Sequence, residues 1–367
     1  MSVDPLPTLV VMEGDQTGQE LLEEALRVLA PDVTDLPIGI ERYDLSLENR
    51  RLTKNQVVFD AAAATVRHGF ALKAATVTPE GAGDVGSPNA LLREAIGGKV
   101  IIRTGRRLSG VRPIGGIHAP ISIVRMAVDD AYNAREYRED EDGDEIAWRV
   151  ERISRRTCRA VAAFSFQQAR RMRATVTGGP NWTVSPVYEG MLKEELDAAA
   201  ERHPDVRYRP LLIDALYAAL ISHTGDALVV PALNRDGDCL SDMVLQLFGS
   251  IAGAESQLLA FDDDFRASAV MAEAPHGTAP TLQGKNVANP LAMILAGASV
   301  LAYMDGARAP LVSRAIYEGA LEAIAEDVRT ADLGGHAGTT EFTDEVIKRV
   351  RTKLDVWSAL GETTLRY

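Results

Sequence analysis

The stretch Leu9-Val10-Val11-Met12-Glu13-Gly14-Asp15-Gln16-Thr17-Gly18-Gln19-Glu20-Leu21-Leu22-Glu23-Glu24-Ala25-Leu26-Arg27-Val28-Leu29 decides the fold class. Its four leading apolar residues read as a strand, Gly14-Asp15 as a tight loop, and Leu21, Leu22, Ala25, Leu26 and Leu29 recur at helical spacing. Strand, loop and helix then alternate downstream. Strands are expected at 70–73, 99–103, 121–125, 174–177, 207–213 and 227–231, and helices at 151–171, 189–202 and 215–221. A polar loop and a helix from about Asp242 follow, and beyond Asn289 two long helices run to about Leu360. Residues 133–147 are densely charged with Asp-Gly turn chemistry, which places them on a surface excursion. Strands alternating with helices argue an α/β architecture.

Bulk properties narrow the functional classes. A chain of 367 residues suggests two domains or one large bilobal unit, and 46% apolar with 25% charged residues is ordinary for a protein with a real core. The net charge of −13 repels phosphate backbones, so nucleic acid is not an expected partner. Cys158 and Cys239 lie far apart and fit neither a disulfide framework nor a cysteine zinc site. No apolar run approaches the ~18 residues of a membrane span, and the N-terminus carries no secretory signal pattern, so a cytoplasmic location is expected. Only seven of the 39 basic residues are lysine, and none lies between Val100 and Leu192.

Four constellations carry candidate chemistry. In Asp236-Gly237-Asp238-Cys239-Leu240-Ser241-Asp242, Asp238 and Asp242 are four apart, so on a helix both carboxylates share a face. That suits Mg²⁺ or Mn²⁺, while Asp at a helix start equally suits N-terminal capping. Gly81-Ala82-Gly83-Asp84-Val85-Gly86 matches the dinucleotide fingerprint formally but lacks the acidic residue about 20 positions on. It reads better as a loop presenting Ser87-Pro88-Asn89 at a helix N-terminus, a corner for a carboxylate or phosphate. Arg93, Arg103 and Arg125 are candidate bidentate carboxylate clamps if the fold unites them. His276-Gly277-Thr278-Ala279-Pro280, with Lys285-Asn286-Val287-Ala288-Asn289-Pro290 after it, is a loop ahead of an apolar helix that serves as a plain connection or cups a nucleotide.

With those residues in view, the chain resembles the isocitrate/isopropylmalate dehydrogenase family, the metal-dependent β-decarboxylating dehydrogenases, over nearly its whole length. HGTAP and GKNVANP (276–290) resemble the family's cofactor loop, and ADLGGHAGTTEFTDEV (331–346) its C-terminal nucleotide-side segment. KAATVTPEG (73–81), SPNALLREAIGGKVIIR (87–103) and NRDGDCLSD (234–242) resemble the isocitrate dehydrogenases in particular. The resemblance implies the family's own two-domain α/β fold with a mixed sheet rather than a Rossmann fold. It divides the chain into a discontinuous cofactor-side domain, 1–106 with 256–367, and a small dimerisation and metal-site domain, 107–255.

Residue by residue, the resemblance implies that Ser87 and Asn89 hold the carboxylate peculiar to isocitrate. Arg93, Arg103 and Arg125 clamp the others, and Thr78 sits between substrate and nicotinamide. Asp238, Asp242 and, from the partner subunit, Asp214 supply metal oxygens, and Tyr132 matches the acid that protonates the decarboxylated enol. Thr76, His276, Gly277, Thr278, Ala279, Pro280 and Asn289 face the nucleotide. The implied activity is oxidative decarboxylation of isocitrate or a related 2-hydroxy tricarboxylate by a homodimer with shared active sites, using NAD or NADP and Mg²⁺ or Mn²⁺.

Two departures stand out. The family's small-domain Lys-Asn pair is replaced by Gly178-Gly179-Pro180-Asn181-Trp182, with Pro180 or Asn181 where the lysine belongs. A positioned general base is worth about 10²–10⁴-fold in rate, so a catalytically silent binding paralogue, or a non-redox decarboxylase or lyase, is the alternative expectation. After HGTAP come Thr281, Leu282 and Gln283, without the basic or tyrosine side chains that meet a 2′-phosphate, which favours NAD.

Overall fold

The computed structural model describes residues 6–80 and 83–361, so Gly81 and Ala82 of the glycine-rich loop lie outside the described residues. Among the described residues the chain forms twelve strands and twelve α-helices. The strands are β1 (Thr8–Glu13), β2 (Gly39–Asp44), β3 (Phe70–Lys73), β4 (Val100–Gly105), β5 (Ile121–Met126), β6 (Arg135–Glu141), β7 (Asp144–Val150), β8 (Thr175–Thr177), β9 (Tyr208–Arg209), β10 (Leu228–Ala232), β11 (Ser256–Phe261) and β12 (Ala267–Glu273). The helices are α1 (Gln16–Leu29), α2 (Pro31–Thr34), α3 (Leu47–Leu52), α4 (Gln56–His68), α5 (Pro88–Ala95), α6 (Arg155–Met172), α7 (Tyr188–Arg202), α8 (Ile213–Ile221), α9 (Asn234–Leu247), α10 (Leu291–Leu301), α11 (Arg308–Ala325) and α12 (Thr339–Leu360).

Ten strands build one mixed sheet in the order β2-β1-β3-β12-β11-β4-β5-β10-β8-β9. The two flanks run parallel within themselves, and the centre is antiparallel, β11 pairing against both β12 and β4 and β4 against β5. Helices cover both faces of the sheet, as parallel strands require. All eleven residues of α10 are buried, in a cluster with α1, α11 and α12 on one face of the β1–β3 flank. No described helix is long and apolar enough to cross a membrane.

Several sequence expectations are corrected. The charged excursion is a β6–β7 hairpin separate from the main sheet, closed at Asp142 (φ 54°) and Gly143 (φ 83°), the paired left-handed geometry of a tight hairpin turn. The strand expected at 207–213 shortens to Tyr208–Arg209, because Pro210 offers no N–H to extend the ladder. Three helices, not two, follow Asn289, separated at Gly306 and Gly334, both with positive φ. The reading placed no strand between 242 and 289, where β11 and β12 form a hairpin.

Helix α9 begins at Asn234, well before Asp242, with Leu233 as a cap that contributes no side-chain hydrogen bond. Asp238 and Asp242 therefore sit inside the helix, and neither caps it. The helix lies close on β5 because Gly237 has no side chain. A Cβ there would stand 2.7 Å from Arg125 Cβ and 3.1 Å from its Cα.

Candidate active site

Side chains alternate across a strand, so Arg103 of β4 faces one side of the sheet while Ile102 and Thr104 face the other. Arg103 meets α9 on that side, donating to Asp242 Oδ1 at 2.8 Å and Ser241 Oγ at 3.1 Å, and to Ser256 Oγ of β11 at 3.3 Å. Arg125 on β5 is nearly fully buried. It donates to Asn234 Oδ1 at 2.9 Å and pairs with Asp238. The Tyr132 ring lies against the Arg125 guanidinium, 5.4 Å from its centroid, and its hydroxyl donates to Asp238 Oδ2 at 2.6 Å. Arg93, on α5, completes the group.

The electrostatics show that the three arginines share one space. Burial pushes Arg93 down, Glu273 and Asp238 oppose that, and Arg103 adds to it. Arg125 is pushed down to about 10 by burial and by Arg93 and Arg103, against the pull of Asp238. Tyr132 is pushed up to about 12 by burial and by the carboxylate it bonds. The site therefore holds more positive charge than its own carboxylates neutralise, which suits a polyanionic ligand.

Ser87 caps α5 in the expected place without a side-chain capping bond, leaving its hydroxyl available. Asn89 Oδ1 is buried with no partner, and so are Thr76 Oγ1 and His276 Nε2. Thr78 is exposed on the segment after β3. Sequence reasoning missed Lys73 and Glu273, which end neighbouring strands in register and bond at 3.0 Å beside the arginines. The Lys73 side chain is only 1% exposed, and although burial pushes its partner Glu273 up, Lys73 together with Arg93 and Arg103 holds that carboxyl below its ordinary range. A charged pair closing two apolar strands was the signal available for them.

The loop after β12 borders a cleft of about 390 Å³, lined by Thr17, Leu21, Ile251, His276, Val287 and Asp332 among others, with more apolar than polar surface. Burial pushes the His276 imidazole down, so it stands neutral at pH 7. Gly277, Ala279 and Asn289 also line this cleft. Thr278 and Ala279 accept from Thr17 through their carbonyls at 3.2 and 2.8 Å, which fastens the loop to α1. Ala279, at φ 42°, turns the chain into Pro280. Asn289 Nδ2 donates to Asp332 Oδ2 at 2.9 Å. The unpartnered His276 atom and the apolar lining fit a nucleotide cofactor with a flat base.

The acidic set is split. Asp238 and Asp242 present hard oxygens from one helix, whereas Asp214 is exposed in the first turn of α8, its Oδ1 accepting only from Ala215 N. Among the described residues of one chain, no group of three His, Cys, Asp or Glu gathers closely enough to hold a metal ion. The donor chemistry fits Mg²⁺ or Mn²⁺, and a third carboxylate from a second chain would complete it. Between β8 and α7, the Gly178-Gly179-Pro180-Asn181 segment offers no titratable side chain. Asn181 N donates to Glu189, which burial pushes up. Lys193, the next lysine along the chain, lies 5.0 Å from the Trp182 ring centroid and pairs with Asp197.

Comparison with known proteins agrees with this geometry. The family model for isocitrate/isopropylmalate dehydrogenase matches residues 8–346. An isocitrate dehydrogenase (NADP) of Thermus thermophilus is 27% identical over 349 residues, covering 93% of this chain and 67% of that protein. The mitochondrial isocitrate dehydrogenase (NAD) catalytic subunit 5 of Arabidopsis thaliana is 27% identical over 344 residues, covering 92% and 87%. The crystal structure of isocitrate dehydrogenase from Methylococcus capsulatus superposes with a TM-score of 0.82 at 23% identity, covering 94% of this chain and all of that one, a likeness of fold. The chain belongs to the isocitrate/isopropylmalate dehydrogenase family.

Proposed function

We propose that this protein oxidatively decarboxylates isocitrate or a closely related 2-hydroxy tricarboxylate, with a nicotinamide cofactor and a divalent metal. The observation that carries the reading is the convergence of Arg93, Arg103 and Arg125 on one under-neutralised space. Guanidinium forks match carboxylates bidentately, and the three arginines serve the two carboxylates that Ser87 and Asn89 leave. Ser87 and Asn89 take the carboxylate that distinguishes isocitrate, and Thr78 stands between substrate and nicotinamide. The relatives named isocitrate dehydrogenase support the substrate class.

The cofactor would lie along the cleft at Thr76, His276, Gly277, Thr278, Ala279, Pro280 and Asn289, and the metal at Asp238, Asp242 and Asp214 of the partner subunit. Bound there, the cofactor supplies the two-electron acceptor, and Mg²⁺ or Mn²⁺ the acidification of a hydroxyl and polarisation of a carbonyl. The chain's own groups hold the substrate and move its protons. Asp214 of the partner subunit stands among the catalytic groups as well as the metal ligands, and Tyr132 delivers a proton to the carbon that loses CO₂. Thr281, Leu282 and Gln283 bring no positive charge to a 2′-phosphate, which favours NAD.

The division into 1–106 with 256–367 and 107–255 is supported by the sheet order, because β5, β10, β8 and β9 at one end all come from the inner segment. A homodimer is supported by the β6–β7 hairpin. One face of it carries Tyr137, Trp148 and Val150, all exposed, with the first two stacked at 6.2 Å.

The lysine-free 178–181 segment favours a second reading, a silent tricarboxylate-binding paralogue. One assay separates the two: nicotinamide reduction and CO₂ release from isocitrate with Mn²⁺, for wild type and Pro180→Lys. The first reading expects wild-type turnover with equal yields of both products, abolished by EDTA. Isocitrate binding without turnover in wild type, and turnover gained in Pro180→Lys, would establish the second.

A further inference from the structure

Arg50, on α3, is the largest fully buried side chain among the described residues, at 0% exposure, yet it makes no direct ion pair there, Asp15 and Asp84 acting on its charge only from a distance. A buried guanidinium without a directly paired anion is expensive unless its donors are engaged. Arg50 commits three of its five N–H groups to backbone carbonyls. Nε donates to Leu45 O at 2.9 Å, one terminal nitrogen to Gly86 O at 3.2 Å, and the other to Val77 O. Val77 directly precedes Thr78, and Gly86 directly precedes Ser87.

Neighbouring groups reinforce both ends. Asp15, in the loop between β1 and α1, accepts from Val77 N at 2.8 Å and from Leu47 N at 2.9 Å, so the Val77 residue is held at its N–H and its C=O. Asn55 Nδ2 donates to Val85 O at 2.7 Å beside the second end. Outside, the exposed Arg51–Asp84 pair adds a contact that solvent screens.

We infer that Arg50 is a positioning residue that fixes Thr78 and Ser87 relative to each other by binding the carbonyl immediately before each. The inference rests on the reading of these two residues as substrate contacts. Its physical basis is the planar fork, whose nitrogens reach two separate carbonyls at a set spacing. A lysine ammonium carries its three donors on one nitrogen and lacks the fork that spans two separated carbonyls. Misplacement of substrate contacts by about 1 Å costs up to ~10²-fold.

The test compares wild type with Arg50→Lys and Asn55→Gly. Asn55→Gly removes the Val85 contact while keeping the left-handed backbone at φ 65°. Calorimetry measures Kd for isocitrate with Mn²⁺ and for ADP-ribose, which reports the nucleotide cleft without touching Thr78. Amide hydrogen exchange reports Thr78 and Ser87 directly. Arg50→Lys is expected to weaken isocitrate by about tenfold or more, leave ADP-ribose within about twofold, and speed exchange at both amides. Asn55→Gly is expected to speed exchange at Ser87 alone, an outcome general destabilisation does not give, and this variant decides if Arg50→Lys fails to fold.

A folded Arg50→Lys with isocitrate within about twofold of wild type and unchanged exchange overturns the inference, as does an Asn55→Gly variant whose two amides respond alike. Failure of wild type to bind isocitrate at all overturns the substrate reading instead, and the exchange comparison still decides the role of Arg50.

Discussion

The phenol of Tyr132 lies against Arg125 and bonds Asp238, so it is placed by the same two groups proposed to hold substrate and metal. Removing only that hydroxyl separates proton delivery from binding. Tyr132→Phe keeps the ring on the guanidinium and is expected to lower kcat by roughly 10²–10⁴-fold with KM within a few-fold, read by steady-state kinetics on isocitrate. A matching loss in KM and kcat would make Tyr132 a binding residue. At this scale the residue types were legible in the sequence and their company was not. Arg93, Arg103 and Arg125 are ordinary arginines until a helix and two antiparallel strands bring them together. The spacing of Asp238 and Asp242 does place them on one helical face, but the run of acids imitated a helix cap where the true start, at Asn234, is capped by Leu233 without a side-chain bond. Arg50 gave no signal, since an arginine in Leu47-Glu48-Asn49-Arg50-Arg51 reads as surface until its carbonyl partners are known.

Strand alternation sends β4 and β11 in two directions at once. Arg103 and Ser256 face the site, whereas Arg106 and Glu255, beside the strand ends, meet on the opposite face through two bonds of 2.8 and 3.0 Å. That ion pair ties the β4–β11 junction from behind, with the Glu255 side chain 4% exposed. Burial disfavours the Glu255 charge, but the pull of Arg106 outweighs it and holds the carboxyl below its ordinary 4.5. A carboxyl with a lowered folded-state pKa stabilises above the unfolded value and loses that contribution as pH falls through the folded value. Glu255→Gln strands a buried guanidinium and is expected to cost about 3–5 kcal/mol at neutral pH, measured by urea unfolding. The gap to wild type should shrink as the medium is acidified below the carboxylate range. A constant gap across pH would mean the loss comes from packing. Elements with strong periodicity were legible, such as β1–α1 and α7. The β6–β7 hairpin was not, because charge at six of the seven β6 positions masks its period-2 pattern, and its turn residues alone announced it.

Across the whole molecule, the mixed sheet makes the site a composite. Arg93 and Arg103 come from one half of the sheet, Arg125, Tyr132, Asp238 and Asp242 from the other, and the cofactor cleft lies beyond β12. The α/β class followed from alternation alone, and the mixed sheet from motifs such as HGTAP and NRDGDCLSD, since the crossed pairing of β4 with β11 joins segments 150 residues apart that no local pattern connects. The proposal of shared sites rests on Asp214, exposed on α8 and apart from the other two acids within one chain. The most direct measurement is a crystal structure with Mn²⁺ and isocitrate, the metal located by anomalous scattering. The account predicts one Mn²⁺ peak per chain between Asp238, Asp242 and Asp214 of the partner subunit, with the isocitrate carboxylates on Arg93, Arg103 and Arg125. Metal bound away from these acids, or isocitrate held without the three arginines, would contradict it.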